Sequence, residues 1–157
     1  MSEEPRWLDA DQQRAWRGFM TMQGQLNARL NRELQADSIL SLTDFEVLVQ
    51  VTDSAENRIR VFELARALEW EKSRLSHHLA RMQRRGLVAR EECPSDARGA
   101  FIVLTPEGKA AIEAAAPVHV ESVRRLFFDG LTKEQVSVLA EISEHVQKRL
   151  TEDASAT

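Results

Sequence analysis

Apolar residues recur at three- and four-residue steps over most of the chain, which predicts a mainly helical protein. The predicted helices cover residues 7–34, 44–52, 62–68, 72–85, 106–128 and 133–150. Two short apolar runs, residues 87–90 and 101–104, predict strands, and residues 59–61 alternate well enough for a stub of strand. Because residues 91–99 (EECPSDARG) have turn chemistry, the two main strands are expected to pair as an antiparallel hairpin.

Two of the predicted helices begin with capping-box patterns, in which a hydroxyl caps the third helical N–H and a longer side chain reaches back. Thr43 with Glu46 predicts the start of the second helix, and Thr132 with Gln135 predicts the start of the last one. Residues 151–157, beyond that last helix, are expected to be disordered.

Residues 72–85 (KSRLSHHLARMQRR) carry five Lys or Arg and two His, with no Asp or Glu. On a helix, Leu75, Leu79 and Met82 form one apolar stripe, and polar or basic side chains lie opposite. One side of this helix can therefore dock on a core while the other presents donors to the major groove of DNA. From these residues alone, a solvated basic surface helix explains the pattern equally well.

The neighbouring segments favour the DNA-binding interpretation. Three residues, Glu69-Trp-Glu71, separate helix 62–68 from the basic helix, which is the spacing of a helix-turn-helix motif. Such turns often begin with glycine, and here that position is Glu69. Gly86 is suited to end the basic helix in a left-handed conformation. The hairpin that follows would add a β-wing with an arginine-bearing tip.

Composition and charge agree with one cytoplasmic domain that contacts a polyanion. The 157 residues have a net charge of −4, yet residues 58–98 hold ten Lys or Arg against six Asp or Glu. The single cysteine excludes a disulfide framework and a cysteine-cluster zinc site, and no metal or cofactor is expected. No apolar run approaches the roughly 20 residues that span a bilayer, and the acidic N-terminus is unlike a signal peptide.

The order of these elements resembles the MarR family of bacterial transcriptional regulators, which are winged helix-turn-helix proteins. Four phrases carry the resemblance at matching spacing: Leu42-Thr-Asp-Phe-Glu46, Leu87-Val after Arg-Arg-Gly, Asp96-Ala-Arg98, and Leu104-Thr-Pro-Glu-Gly108. The resemblance extends from about residue 16 to residue 150, so residues 1–157 are expected to form a single MarR-like chain. It implies a mainly α fold with a small β-wing, and a winged helix-turn-helix DNA-binding region at residues 40–104.

The resemblance also implies an assembly and a mode of action. Helices at residues 7–36 and 105–150 would form a homodimer, and the two winged domains would bind double-stranded DNA at a pseudo-palindromic operator, more often as a repressor. Many members release DNA when a small aromatic or phenolic effector binds between the winged domain and the dimer helices. The matching effector-binding positions are Trp16, Phe19, Met20 and Phe45.

We expect the first turns of helix 72–85 to enter the major groove. The side chains expected to contact base edges are Ser73, Arg74, Ser76 and His77, and those expected to bind phosphates are Lys72 and Arg81. His78 lies nearer the apolar side and is expected to pack or to contact a phosphate. In the wing, the family's Asp-x-Arg pattern implies that Arg98 contacts the minor groove or a phosphate while Asp96 holds its guanidinium.

Several other interpretations remain open from the sequence. The basic helix could face an acidic protein partner in an interaction module without sequence-specific DNA binding. Cys93 could be a redox sensor, although the adjacent Glu91 and Glu92 disfavour a reactive thiolate. His119 and His145 could be metal ligands, although they have no partnering cysteine and no His-x-x-x-His spacing. We find no phosphate-binding glycine loop and no nucleophile motif, so an enzyme is not expected. The operator, the regulated genes and the effector cannot be read from the sequence.

Overall fold

The computed structural model describes residues 4–93 and 99–156, and it is mainly helical with one small sheet. The helices are α1 Ala10–Asp37, α2 Leu42–Asp53, α3 Val61–Leu68, α4 Lys72–Arg84, α5 Pro106–Val123 and α6 Lys133–Ser155. The strands are β1 Arg58–Arg60, β2 Val88–Glu91 and β3 Phe101–Leu104. The expected fold class, mainly α with a small β-wing, is confirmed. The chain divides into two compact units, Met1–Val120 and Glu121–Thr157.

The hydrophobic core of the first unit is built around α2. Most of the fully buried apolar side chains come from α2, α3, α4 and the sheet, and they include Leu48, Leu64, Leu75, Met82 and Ile102. Each helix contributes the apolar face that its periodicity predicts. Only the last turns of α1 join this core, through Leu34, while most of α1 is exposed.

The sheet has the antiparallel strand order β1-β3-β2. The predicted hairpin of β2 and β3 is therefore present, and β1 adds a third strand one residue earlier than the predicted stub. Alternation places Ile59, Ile102 and Val88 on the face that packs against the core. Arg60 and Phe101 are paired in register on the opposite face.

The helix-turn-helix motif is formed by α3, a short turn and α4. Glu69 takes the left-handed conformation, with φ 53°, where such turns often have glycine, and the N–H of Trp70 donates to the Ala65 carbonyl at 3.0 Å. At the other end of α4, Gly86 has φ 75°, and the N–H of Leu87 donates to the Met82 carbonyl at 3.0 Å. This second arrangement is a Schellman motif, so the predicted role of Gly86 is confirmed.

Gly108, in the first turn of α5, packs directly against the chain segment that follows α4. A Cβ atom at this position would lie 2.0 Å from the carbonyl oxygen of Leu87. Next to it, the Thr105 hydroxyl accepts the N–H of Gly108 at 2.9 Å and lies 2.6 Å from the Gly86 carbonyl, to which it can donate. The phrase Leu104-Thr-Pro-Glu-Gly108 therefore joins the end of α4 to the start of α5.

Some predicted helix boundaries were wrong. The helix α2 begins at Leu42, and its capping box is formed by Ser41 and Asp44 rather than by Thr43 and Glu46. Ser41 with Asp44 and Thr43 with Glu46 both fit the local capping pattern, and the tertiary contacts of Asp44 select the first pair. The helix α1 begins at Ala10 rather than at residue 7, because Asp9 forms a capping box with Gln12.

The second unit contains a π-helical segment, Arg124–Phe128, followed by α6. The predicted capping box of Thr132 and Gln135 is confirmed. The predicted disorder of residues 151–157 was wrong for 151–155, which continue α6. Among the described residues, no helix combines the length and apolar character that crossing a membrane requires.

Candidate nucleic-acid interface

One side of α4 is exposed and the other is buried, as its sequence predicted. The stripe of Leu75, Leu79 and Met82 is at most 2 % exposed. The side chains assigned to DNA contact in this helix are all exposed, namely Lys72, Ser73, Arg74, Ser76, His77 and Arg81. The fold therefore brings the six predicted α4 residues together on one accessible helix.

Trp70, in the turn between α3 and α4, contacts two side chains of α4. The guanidinium carbon of Arg74 lies 4.0 Å from the centroid of the Trp70 ring, which is a cation–π contact. The same indole makes a T-shaped contact with the His78 ring, at a centroid distance of 5.5 Å. Because the indole restricts the Arg74 side chain, the guanidinium is partly ordered before any DNA arrives.

A buried carboxylate joins α4 to the start of α2. Asp44, 2 % exposed, accepts hydrogen bonds from the Ser41 N–H at 2.9 Å and from Arg85 Nη1 at 2.7 Å, and its Oδ1 lies 3.0 Å from His78 Nε2. Arg85 also donates to the Ile39 carbonyl. These contacts tie the middle and the end of the basic helix to α2 and to the segment before it.

The protonation of Asp44 follows from these contacts. Burial by itself raises the pKa of a carboxyl group, but the hydrogen bonds from His78, Arg85 and Ser41, with the charge of Arg85, hold the pKa of Asp44 well below its ordinary value. The group is therefore an anion at neutral pH. Glu46, two residues further along α2, differs, because burial raises its pKa while the charge of Arg74 acts in the opposite direction.

His78 is buried, as its position near the apolar stripe suggested, with 8 % exposure. Its second ring nitrogen, Nδ1, lies 3.1 Å from Nη2 of Arg81. Sequence reasoning identified the packing of His78 but missed Asp44. The segment Ser41-x-x-Asp44 could have been recognised as a cap, but nothing local links it to residues 78 and 85.

The predicted wing contacts Asp96 and Arg98 lie outside the described residues. The described base of the wing carries a cluster that the sequence did not single out. The guanidinium carbons of Arg58 and Arg60 lie 4.1 and 4.3 Å from the centroid of the Phe101 ring. Arg60 Nη1 also donates to the Gly99 carbonyl at 3.2 Å, which fixes the chain where the described part of the wing resumes.

Three of the four residues predicted to bind an effector are aromatic, and their rings take part in two separate ring contacts. Trp16 and Phe19 are exposed on α1, with ring centroids 6.1 Å apart, and Met20 is exposed beside them. Phe45 is buried, and its ring centroid lies 4.5 Å from that of His119. In the described part of the chain, no ring contact joins these two pairs.

The remaining candidates show no sign of metal chemistry. Burial lowers the pKa of His119, and its Nδ1 is buried with no hydrogen-bond partner in the described chain. His145 is exposed. Among the described residues, no three His, Cys, Asp or Glu side chains form a group that could hold a metal ion. Cys93 is half-buried and has a free thiol.

These features define a winged helix-turn-helix protein, and comparison with known proteins supplies the family. A family model described as MarR family matches residues 40–99. The chain is similar to the crystal structure of Sco3205, a MarR family transcriptional regulator from Streptomyces coelicolor, determined in complex with DNA. The two are 42 % identical with a TM-score of 0.88, over 95 % of this chain and 93 % of that one.

A second solved structure and a curated protein agree. AbsC, a MarR family transcriptional regulator from Streptomyces coelicolor, is 39 % identical with a TM-score of 0.86, over 94 % of this chain and 99 % of that one. The transcriptional regulator HosA from Escherichia coli O111:H- is 39 % identical over 71 residues, 45 % of this chain. The match spans about half of that relative, 52 % of its length.

The chain belongs to the MarR family of transcriptional regulators. The resemblance stated from its four sequence phrases is thereby confirmed. Because this family and the matched relatives consist of transcriptional regulators, the enzyme interpretation is set aside.

Proposed function

We propose that the protein is a cytoplasmic, sequence-specific DNA-binding regulator that acts as a homodimer, as a repressor, on a pseudo-palindromic operator. The observation that carries the proposal is the exposed basic face of α4, backed by a fully buried apolar stripe. A helix of this kind fits the major groove, where side-chain donors can reach base edges. The crystallisation of the similar Sco3205 with DNA supports the same use of the fold.

Within α4, the proposed roles differ by position. Arg74 lies in the first turn, so it reads a base, with the bidentate geometry of a guanidinium suited to guanine. Ser73, Ser76 and His77 share this reading role. Lys72 and Arg81 bind phosphates and fix the register of the helix on the duplex.

In the wing, Arg98 binds the minor groove or a phosphate and Asp96 orients it. This assignment comes from the family pattern alone, because both residues lie outside the described part of the chain.

Exposed apolar residues support the proposed homodimer. In α1, the large apolar side chains of Trp16, Phe19 and Met20 are 55, 46 and 47 % exposed in the single chain, and Trp7, just before this helix, is 85 % exposed. In α6, four exposed apolar residues recur every four positions: Val138, Ile142, Val146 and Leu150. Such stripes mark surfaces that are covered by a partner, and here the proposed partner is a second copy of the chain.

We also propose that a small effector releases the protein from DNA. A small aromatic or phenolic compound would contact Trp16, Phe19 and Met20, while Phe45 contributes from α2. The buried Nδ1 of His119, against Phe45, offers a polar atom to such a ligand. Adding phenols and aromatic acids to a preformed DNA complex should release the DNA, and a complex unaffected by all of them would argue against this part.

Salt dependence tests the DNA-binding proposal. If a dimer contacts on the order of 6–10 phosphates, its affinity for duplex DNA should fall roughly 10³–10⁵-fold between 50 and 200 mM salt. Fluorescence anisotropy of a labelled duplex measures this slope. A binding curve that is flat in salt would contradict phosphate neutralisation as the main source of affinity.

A further inference from the structure

The contacts of His78 indicate which of its ring nitrogens carries the hydrogen. His78 Nε2 lies 3.0 Å from Asp44 Oδ1, and an ionised carboxylate can only accept hydrogen bonds, so its position favours the imidazole tautomer with the hydrogen on Nε2. Asp44 is itself held in place by Ser41 and Arg85.

The other nitrogen of His78 then faces Arg81 as an acceptor. A guanidinium has only donors, and Arg81 Nη2 lies 3.1 Å from His78 Nδ1. The neutral imidazole with its hydrogen on Nε2 satisfies both contacts at once. An imidazolium, or the tautomer with hydrogen on Nδ1, would place an N–H against the N–H of Arg81.

These contacts run from a buried anion, Asp44, through the His78 ring to Arg81, an exposed side chain of the basic helix. The T-shaped contact with Trp70 further restrains the His78 ring, and the face of the same indole carries Arg74. The arginine assigned to phosphate binding and the arginine assigned to base reading are therefore supported by two adjoining rings.

We propose that Asp44 and His78 are positioning residues, which direct the Arg81 guanidinium toward a DNA phosphate. This inference rests on the proposed DNA binding by α4. It assigns a role in binding to two buried residues that themselves cannot reach the duplex. Preorganisation of this kind raises affinity because less side-chain freedom is lost when the complex forms.

The tautomer is tested first, on the free full-length protein. Long-range ¹H–¹⁵N correlation spectra distinguish the two neutral tautomers and the imidazolium. We expect the neutral imidazole of His78 to carry its hydrogen on Nε2. A His78 that carries hydrogen on Nδ1 would overturn the inference, whether or not the protein binds DNA.

Two matched substitutions then separate the contacts. His78→Gln keeps a donor near the Nε2 position but has no acceptor at Nδ1, and His78→Asn keeps an acceptor near Nδ1. We expect His78→Gln to weaken binding roughly 10-fold per half-site, the order of one charge-assisted hydrogen bond. His78→Asn should recover part of that loss, which a merely structural role of His78 would not predict.

A double-mutant cycle with Arg81→Ala completes the test. In the Arg81→Ala background, His78→Gln should cause no further loss of DNA affinity. Each change should also reduce the slope of log affinity against log salt concentration, by about 0.9 per half-site at most. Asp53→Asn, exposed in the same helix as Asp44, serves as the control.

The outcomes of the cycle are distinct. Additive losses, or a His78→Gln protein that binds like the unmodified one, would overturn the inference while leaving DNA binding intact. Failure of the unmodified protein to bind any duplex would refute the proposed function itself, and with it this role of Arg81.

Discussion

The buried carboxylate of Asp44 should be one of the largest single contributors to the stability of the first unit. In Asp44→Asn the shape is kept, but the amide has one acceptor oxygen where the carboxylate has two, and its NH₂ group would face a donor. Arg85, which is cationic, and His78, which is polar, would each lose the charged Asp44 carboxylate as a partner. Asp44 is buried but the Arg85 side chain is 41 % exposed, so the expected loss is that of hydrogen bonds to a charged group, at roughly 1.5–3 kcal/mol each and roughly 3–6 kcal/mol for two of them.

That loss would be a large part of the roughly 5–15 kcal/mol by which domains are stable. With an m-value of about 2 kcal/mol/M, a loss of about 4 kcal/mol moves the urea midpoint down by about 2 M. Circular dichroism at one fixed protomer concentration measures the shift, because dimerisation would make the midpoint depend on concentration. Asp53→Asn, at an exposed position of the same helix, should stay within about 0.5 kcal/mol of the unmodified protein.

The effect should also depend on pH in a defined direction. Because the pKa of Asp44 is depressed in the folded protein, its stabilisation is fully present above the ordinary value of 3.8 and is lost as the pH falls below it. The difference in unfolding free energy between the unmodified protein and Asp44→Asn should therefore become smaller as the pH falls below about 4. This account of Asp44 would be refuted if Asp44→Asn lowered the unfolding free energy by less than about 1 kcal/mol at pH 7, or if the difference between the two proteins did not change in acid.

Four further substitutions test other parts of the protein. Gly108→Ala should destabilise by about 1–3 kcal/mol in thermal unfolding, because its Cβ would lie 2.0 Å from the Leu87 carbonyl oxygen; an unchanged midpoint would mean that this approach is not tight. Ile142→Glu should shift the mass measured by light scattering from twice 17.8 kDa toward 17.8 kDa, and an unchanged dimer would place the interface elsewhere. Arg74→Ala should blur preference at one or two base pairs per half-site, while Arg98→Ala should weaken all sequences alike; the reverse pattern would exchange the reading and positioning roles.

Local patterns predicted the elements whose structure depends on nearby residues. The apolar stripe of α4 and its stop at Gly86 follow from helical periodicity and left-handed geometry. The turn at Glu69 was predicted from spacing alone, although a non-glycine residue occupies a left-handed position there. The hairpin of β2 and β3 followed from two short apolar runs around a polar turn.

The features that depend on distant residues were missed. Asp44 and Arg85 are 41 residues apart, and no periodicity links them. The same long-range contacts explain why the Thr43 capping frame was wrong, since the fold needs the Asp44 side chain inside. The cluster of Arg58, Arg60 and Phe101 forms only when β1 pairs with β3, and although a stub of strand was predicted at residues 59–61, nothing local indicated which strand it would pair with.

The central claim is that α4 reads DNA sequence, and selection from a random duplex pool tests it most directly. The unmodified protein should enrich an inverted repeat whose half-sites lie about one helical turn apart, as expected for two recognition helices related by a two-fold axis. Recovery of no preferred sequence would contradict the claim and would favour an interaction module that uses the basic helix to hold an acidic protein partner.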